Sequence, residues 1–217
     1  MAKNNQRNKY KDATGTILPG VTTITGQELG WNKQVLISWA NKLGLKGIEA
    51  AKYVDDKADI GTLAHQLILD HFRGLKTDTS DYSKNQIDQA ENCLLSFYEW
   101  GKGKVVKPIL LEQPLISEVF KFGGTPDCYA EIDGKLTLLD FKTGKGIYDE
   151  YAIQVAGGYL LLLEEAKHIV EEIVILNIPR AEDEAFSVKP IKEWDVCKKI
   201  FLNCLNTYQL KKKLKEE

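Results

Sequence analysis

Asp127, Asp140 and Lys142 carry the chemistry that this 217-residue chain offers most clearly. Between the two acids lies Asp133-Gly134, a pair that favours a two-residue β-hairpin turn. With Ile132 paired to Lys135, partners across the hairpin sum to 267, and Asp127 falls opposite Asp140. Lys142, two residues beyond Asp140, points to the same face, while Cys128, Ala130, Leu139 and Phe141 point to the other and read as core. Two opposed carboxylates repel, and on a strand this apolar the repulsion costs stability. A divalent cation between them relieves it, and hard oxygen ligands suit Mg²⁺ or Mn²⁺. The competing reading makes both acids solvent-facing turn residues with Lys142 as their ion-pair partner.

Around this hairpin the pattern alternates between helical and extended periods. Ile17 to Ile24, rich in β-branched residues, reads as extended. From Asn32 to Gly103 the spacing is helical: one helix with Val35, Leu36, Trp39 and Leu43, a second over about 47–54, a third with Ile60, Leu63, Ala64, Leu67, Ile68 and Phe72, and a fourth with Ile87 to Tyr98. Strands follow at 108–117, 119–122, 125–132 and 135–142, then a helix over about 150–166. Ile173 to Ile178 is a buried strand, 185–188 a short edge strand, and 192–215 a closing amphipathic helix with a Lys-rich end. The fold class is α/β (α+β). We read 1–217 as a single domain: a helical part over about 1–105, a sheet core with a crossover helix at 106–190, and a C-terminal helix at 191–217.

The composition narrows the function classes. With 43% hydrophobic and 28% charged residues, the chain is an ordinary globular mixture. Its longest apolar run is far short of the roughly 20 residues that cross a bilayer, so no membrane partner is expected. With four Cys, no C-x-x-C pair and no visible export signal, a reducing, cytoplasmic setting is expected. A net charge of −2 disfavours uniform coating of nucleic acid. Only Arg7, Arg73 and Arg180 stand among 29 basic residues, so any DNA contact is expected at the backbone, with little sequence preference.

The order G-x-P-D over Gly124 to Asp127, a hydrophobic strand ending Asp140-Phe141-Lys142-Thr143-Gly144, then a helix with Tyr and Gln resembles the PD-(D/E)XK nucleases, in their RecB-type and phage exonuclease-like branch. Leu18-Pro19-Gly20-Val21-Thr22-Thr23-Ile24 resembles that branch's P-S-V-T-T-I segment, with Gly20 in place of the Ser. Leu36-Ile37-Ser38-Trp39-Ala40 resembles its tryptophan helix, and Gly61-Thr62-Leu63-Ala64-His65 its G-T-x-x-H motif. The resemblance spans about residues 17 to 165. It implies a restriction-endonuclease-like mixed central sheet flanked by helices, and a metal-dependent DNA nuclease, more specifically an exonuclease of repair, recombination or phage DNA processing. The alternatives are a non-catalytic nucleic-acid-binding module of the same fold, and an endonuclease.

By the same resemblance Asp127, Asp140, His65 and the Phe141 carbonyl would hold Mg²⁺ or Mn²⁺. Lys142 would serve the attacking water, and Gln154 would hold the lysine region or the substrate. On its own, His65 lies on the apolar stripe of its helix, where a histidine is more often a core or rim residue. The family's Gln and Tyr stand four apart, whereas Tyr159 follows Gln154 by five; at 100° per residue this swings Tyr159 off the Gln154 face. Tyr151, three before Gln154, becomes the rival substrate contact, and Tyr159 reads equally well as core. Glu112 matches a Glu of the family's first strand and is either a support of the site or a solvated strand residue. Lys145, Thr22 and Thr23 are candidate substrate contacts, and Lys102, Lys104, Lys107 and Lys121 candidate groove cations. Cys93, Cys128, Cys197 and Cys204 read as buried thiols, with no iron–sulfur cluster expected. Self-association, or assembly with recombination and replication proteins, stays open.

Overall fold

The computed structural model describes residues 10–215. The hairpin forms as its sequence dictates. Strands β6 (Cys128–Ile132) and β7 (Lys135–Thr143) pair antiparallel, with Ile132 against Lys135 and Cys128 against Leu139. Asp133 and Gly134 both take positive φ, 50° and 84°, the conformation that matches a two-residue turn to the twist of its strands. The ladder stops at Cys128–Leu139, so Asp127 sits one residue beyond it. From there its side chain accepts a hydrogen bond from the Phe141 N–H at 2.8 Å.

The hairpin is the centre of a five-stranded mixed sheet. β3 (Val106–Leu111) pairs antiparallel with β6; β8 (Glu172–Ile178) pairs parallel with β7; β9 (Ser187–Pro190) closes the far edge antiparallel to β8. The parallel β7–β8 pair needs a crossover, supplied by α5 (Asp149–Ala152), a π-helical segment (Ile153–Tyr159) and α6 (Leu160–Glu165).

Both faces of the sheet are covered, and strand alternation sorts the residues between them. Cys128, Ala130, Leu139, Phe141, Val174 and Leu176 pack under α3 (Ala50–Arg73) and α4 (Lys84–Gly101). Tyr129, Leu138, Ile173 and Ile175 pack under the π segment, α6, α1 (Val21–Glu28) and α7 (Trp194–Lys213). Asp140, between Leu139 and Phe141, therefore faces the second layer. This is the helix-flanked mixed sheet, with a helical N-terminal part, expected of a restriction-endonuclease-like fold.

Several expected elements differ. Of the stretch expected to be extended, Ile17–Leu18 forms a strand (β2, paired with β1, Tyr10–Lys11) and Gly20 a single bridge to Gly123; from Val21 the chain is helical. Burial of Val21 and Ile24 against the π segment and α7 overrides their β-branched preference. The second and third expected helices are one, α3, because the polar residues Asp55 to Asp59 contain no helix breaker. The strand expected at 108–117 breaks at Glu112, whose φ is 46°. β4 (Leu115–Ser117) then pairs apart from the main sheet with β5 (Phe122–Gly124), and residues 119–121 form the turn between them instead of a strand. Tyr10 lies flat on Gly123: a Cβ there would come within 2.2 Å of the Tyr10 ring, and the Tyr10 hydroxyl bonds Thr125 at 3.0 Å.

Candidate metal centre and catalytic lysine

Four chain segments converge at the C-terminal end of β7. α3 delivers His65 because Gly61, one turn earlier, lets the helix close on β7; a Cβ at Gly61 would stand 2.9 Å from the Thr143 hydroxyl. His65 Nδ1 lies 3.4 Å from Asp127 Oδ1, and its ring meets the Phe141 ring edge-on. The end of β3 brings in Glu112, whose N–H donates to the Asp127 carbonyl at 3.0 Å. His65, Glu112 and Asp127 each offer a ligand atom within 4.8 Å of the other two. Glu112 takes a left-handed backbone, unfavourable for a residue with a Cβ, at this cluster.

Beside this triad stands a second pair. Asp140 is 1% exposed, and Lys142 Nζ lies 2.7 Å from its Oδ2. Apart from that ion pair, neither Asp140 oxygen has a hydrogen-bond partner among the described residues. A buried carboxylate left in that state is costly unless something else takes up its lone pairs. Lys142 Nζ also sits 5.1 Å from the Tyr151 ring centroid, a cation–π contact.

The charges fit together. Burial works against the Asp127 charge, but His65, Lys142 and the Phe141 N–H outweigh it and hold the carboxyl below its ordinary value. Burial raises the Asp140 carboxyl to about 6, with Lys142 opposing and Asp127 adding to the rise. Burial also disfavours the charges of His65 and Lys142, yet the nearby aspartates outweigh it and raise both. Burial and Asp127 raise Glu112.

Lys142 thus shares a face with Asp140, and His65 touches Asp127. Phe141 buries its ring in the core while its N–H holds Asp127. Tyr159 corrects the helical-wheel expectation: Gln154 Nε2 donates to its hydroxyl at 2.8 Å. The segment is π-helical, so residues five apart, not four, come together, and Tyr159 returns to the Gln154 face. It is buried, with burial and the charges of Asp140 and Asp127 raising its phenol well above 10. Thr22 and Thr23 are exposed on α1, Thr22 at the rim of a groove that also reaches Tyr151 and Gln154; Lys145 is exposed on the loop after β7.

The four lysines expected as groove cations are engaged in ion pairs. Lys104 and Lys107 pair with Asp133 and Glu131 near the hairpin turn, about seven residues, roughly 23 Å of strand, from Lys142. Lys102 pairs with Glu99, and Lys121 with Asp12 and Glu118. The four cysteines are buried free thiols. Among the described residues no helix is long and apolar enough to cross a membrane.

The triad, with Asp140 beside it, offers carboxylate oxygens and one imidazole, a donor set compatible with a divalent cation. Glu112, which the sequence marks only by its place just after an apolar strand and before Pro114, joins this cluster.

Neither a family model nor a curated protein matches the chain. Among solved structures it is similar to one from Eubacterium rectale named "Putative exonuclease", with 12% identity and a TM-score of 0.48 over 70% of this chain and 65% of that one. The chain therefore spans just under two thirds of that protein. It is also similar to the protein SSO0001, at 16% identity and a TM-score of 0.31, over 60% of this chain and 68% of that one.

Proposed function

We propose that the chain is a metal-dependent nuclease that hydrolyses DNA phosphodiester bonds, more specifically an exonuclease. The observation that carries this reading is Asp140: a buried acid with no partner among the described residues besides the lysine 2.7 Å away, next to a His–Glu–Asp cluster. Asp127, Asp140, His65, Glu112 and the Phe141 carbonyl would hold Mg²⁺ or Mn²⁺. When bound, the ion polarises the scissile phosphate and acidifies its water.

The chain's own groups supply the rest. The Lys142 ammonium, fixed between Asp140 and the Tyr151 ring, is a preorganised cation where negative charge develops on the phosphate. Gln154 and Tyr159 stiffen the π-helical segment that follows Tyr151 through their hydrogen bond. The aligned backbone N–H of Phe141 keeps Asp127 turned toward His65.

Incubation of end-labelled linear, end-blocked and circular DNA with Mn²⁺ or Mg²⁺ tests the reading. Metal-dependent loss of linear DNA, with circular DNA spared, is the expected result. Binding without cleavage at any metal concentration would leave a non-catalytic module, and cleavage of circles an endonuclease.

A further inference from the structure

Next to the metal centre runs an open groove of about 600 Å³ whose lining is chiefly apolar. Thr22, Thr25 and Gly26 of α1 line it, with Leu29 just beyond that helix. One side is α2 (Lys33–Gly44) and the turn before it, with Trp31, Leu36 and Trp39; the other is Tyr148, just before α5, and Tyr151 on it. α2 buries none of its residues. Its Leu36 is 56% exposed, and Trp31 just before it 52%. Apolar surface of this kind, concentrated in one concave strip, marks a binding site more often than a bare exterior.

The groove is continuous with the catalytic side chains. Tyr151 lines it and also carries the Lys142 ammonium over its ring; Gln154 lines it and bonds Tyr159. Asn32, at the start of α2, donates to Glu150 on α5 and ties the two walls together. The charged lining is slight, Lys33 and the engaged Glu150, so little there is suited to gripping phosphates. Aromatic rings are suited to base faces, and stacking tolerates any sequence because every base has a π-face.

We propose that this groove takes the unpaired end of a DNA strand, its bases stacked against Trp31, Trp39 and Tyr148, and feeds the adjoining phosphodiester to Lys142. As a statement of substrate class the proposal rests on the nuclease reading. A duplex keeps its base faces inside its own stack and cannot offer them to the groove.

The test compares wild-type protein, in EDTA, against three labelled 12-mers: oligo-dT, an abasic strand of equal charge, and a duplex. Stacking predicts that oligo-dT binds at least about fivefold tighter than the abasic strand or the duplex. Its affinity should fall only shallowly with salt, by far less than the steep dependence of a multi-phosphate contact. Trp31→Ala and Trp39→Ala should each weaken oligo-dT binding about fivefold or more, with Trp39→Phe restoring most of the loss. Equal affinity for dT and abasic strands, or preference for duplex, overturns the proposal without needing any variant to fold. So does a Trp31→Ala effect confined to self-association of the free protein, which would make a second copy the occupant. Adding Mn²⁺ to the same oligo-dT separates the two readings. Base-dependent binding without cleavage removes the nuclease and keeps the groove; cleavage indifferent to bases removes the groove alone.

Discussion

Replacing Asp140 with Asn isolates the cost of holding that acid ready for a cation. Its carboxyl ordinarily titrates at 3.8 and here at about 6, chiefly through burial. The rise already includes the attraction of Lys142, so it measures the net strain of the charged form. About two units, at 1.36 kcal/mol each, is roughly 3 kcal/mol. The sign follows from linkage. A carboxyl whose pKa is higher folded than unfolded favours the fold while protonated; that stability is present below about pH 4 and is lost as pH rises through about 6. At pH 7.5 without metal it is gone, and Asp140→Asn, which resembles the protonated acid, should unfold at higher denaturant than the wild type, by up to about 3 kcal/mol. The gap should close as pH falls from 6 toward 4. Mn²⁺ should reverse the order once it reaches 1,000 times its Kd, where it adds about 4.1 kcal/mol to the wild type and much less to a variant missing a ligand. Urea titrations at pH 7.5 and 4.5, with EDTA and with Mn²⁺, read all of this. A metal-free variant less stable than the wild type at pH 7.5, or a gap that does not change with pH, would refute the reasoning.

Lys142→Ala should lower Mn²⁺-dependent cleavage about 10²–10³-fold, as expected for removing a preorganised cation, with far-ultraviolet circular dichroism unchanged. Gly157→Ala should destabilise the fold by about 1–3 kcal/mol in denaturant melts, because the new Cβ would meet the Cys197 carbonyl at 2.7 Å and the Phe201 Cβ at the same distance. Tyr159→Phe should cost about 0.5–1.5 kcal/mol through the lost Gln154 bond, read in the same melts. Its phenol should also stay neutral at pH 10.5, so the folded variant and wild type should then show equal tyrosinate absorbance; a wild-type excess would contradict the burial of Tyr159.

What could be read from the residues depended on how local the signal was. The register of the central hairpin was legible because Asp133-Gly134 dictates a turn with positive φ at both positions. The strand at Ile173 to Ile178 was legible because burial on both faces leaves a continuous apolar run. The start of α1 was not, because Thr22 and Thr23 favour extension and only the packing of Val21 and Ile24 makes the turn helical. The Gln154–Tyr159 bond was hidden by the assumption of 100° per residue. The π turn that removes it is sustained by Gly157 and Gly158 closing on α7 and α1, a long-range contact with no local mark. Glu112 was uncertain because its role depends on α3 and β6 meeting it in space.

The perch of Tyr10 on Gly123 has a practical side. Its hydroxyl anchors Thr125, two residues ahead of Asp127, so the beginning of the described chain props the loop from which the first acid hangs. An expression design trimmed past this tyrosine would uncover bare glycine backbone and slacken that loop. Loss of ion affinity in such a shortened form would then report a missing prop and say nothing about the ligands themselves.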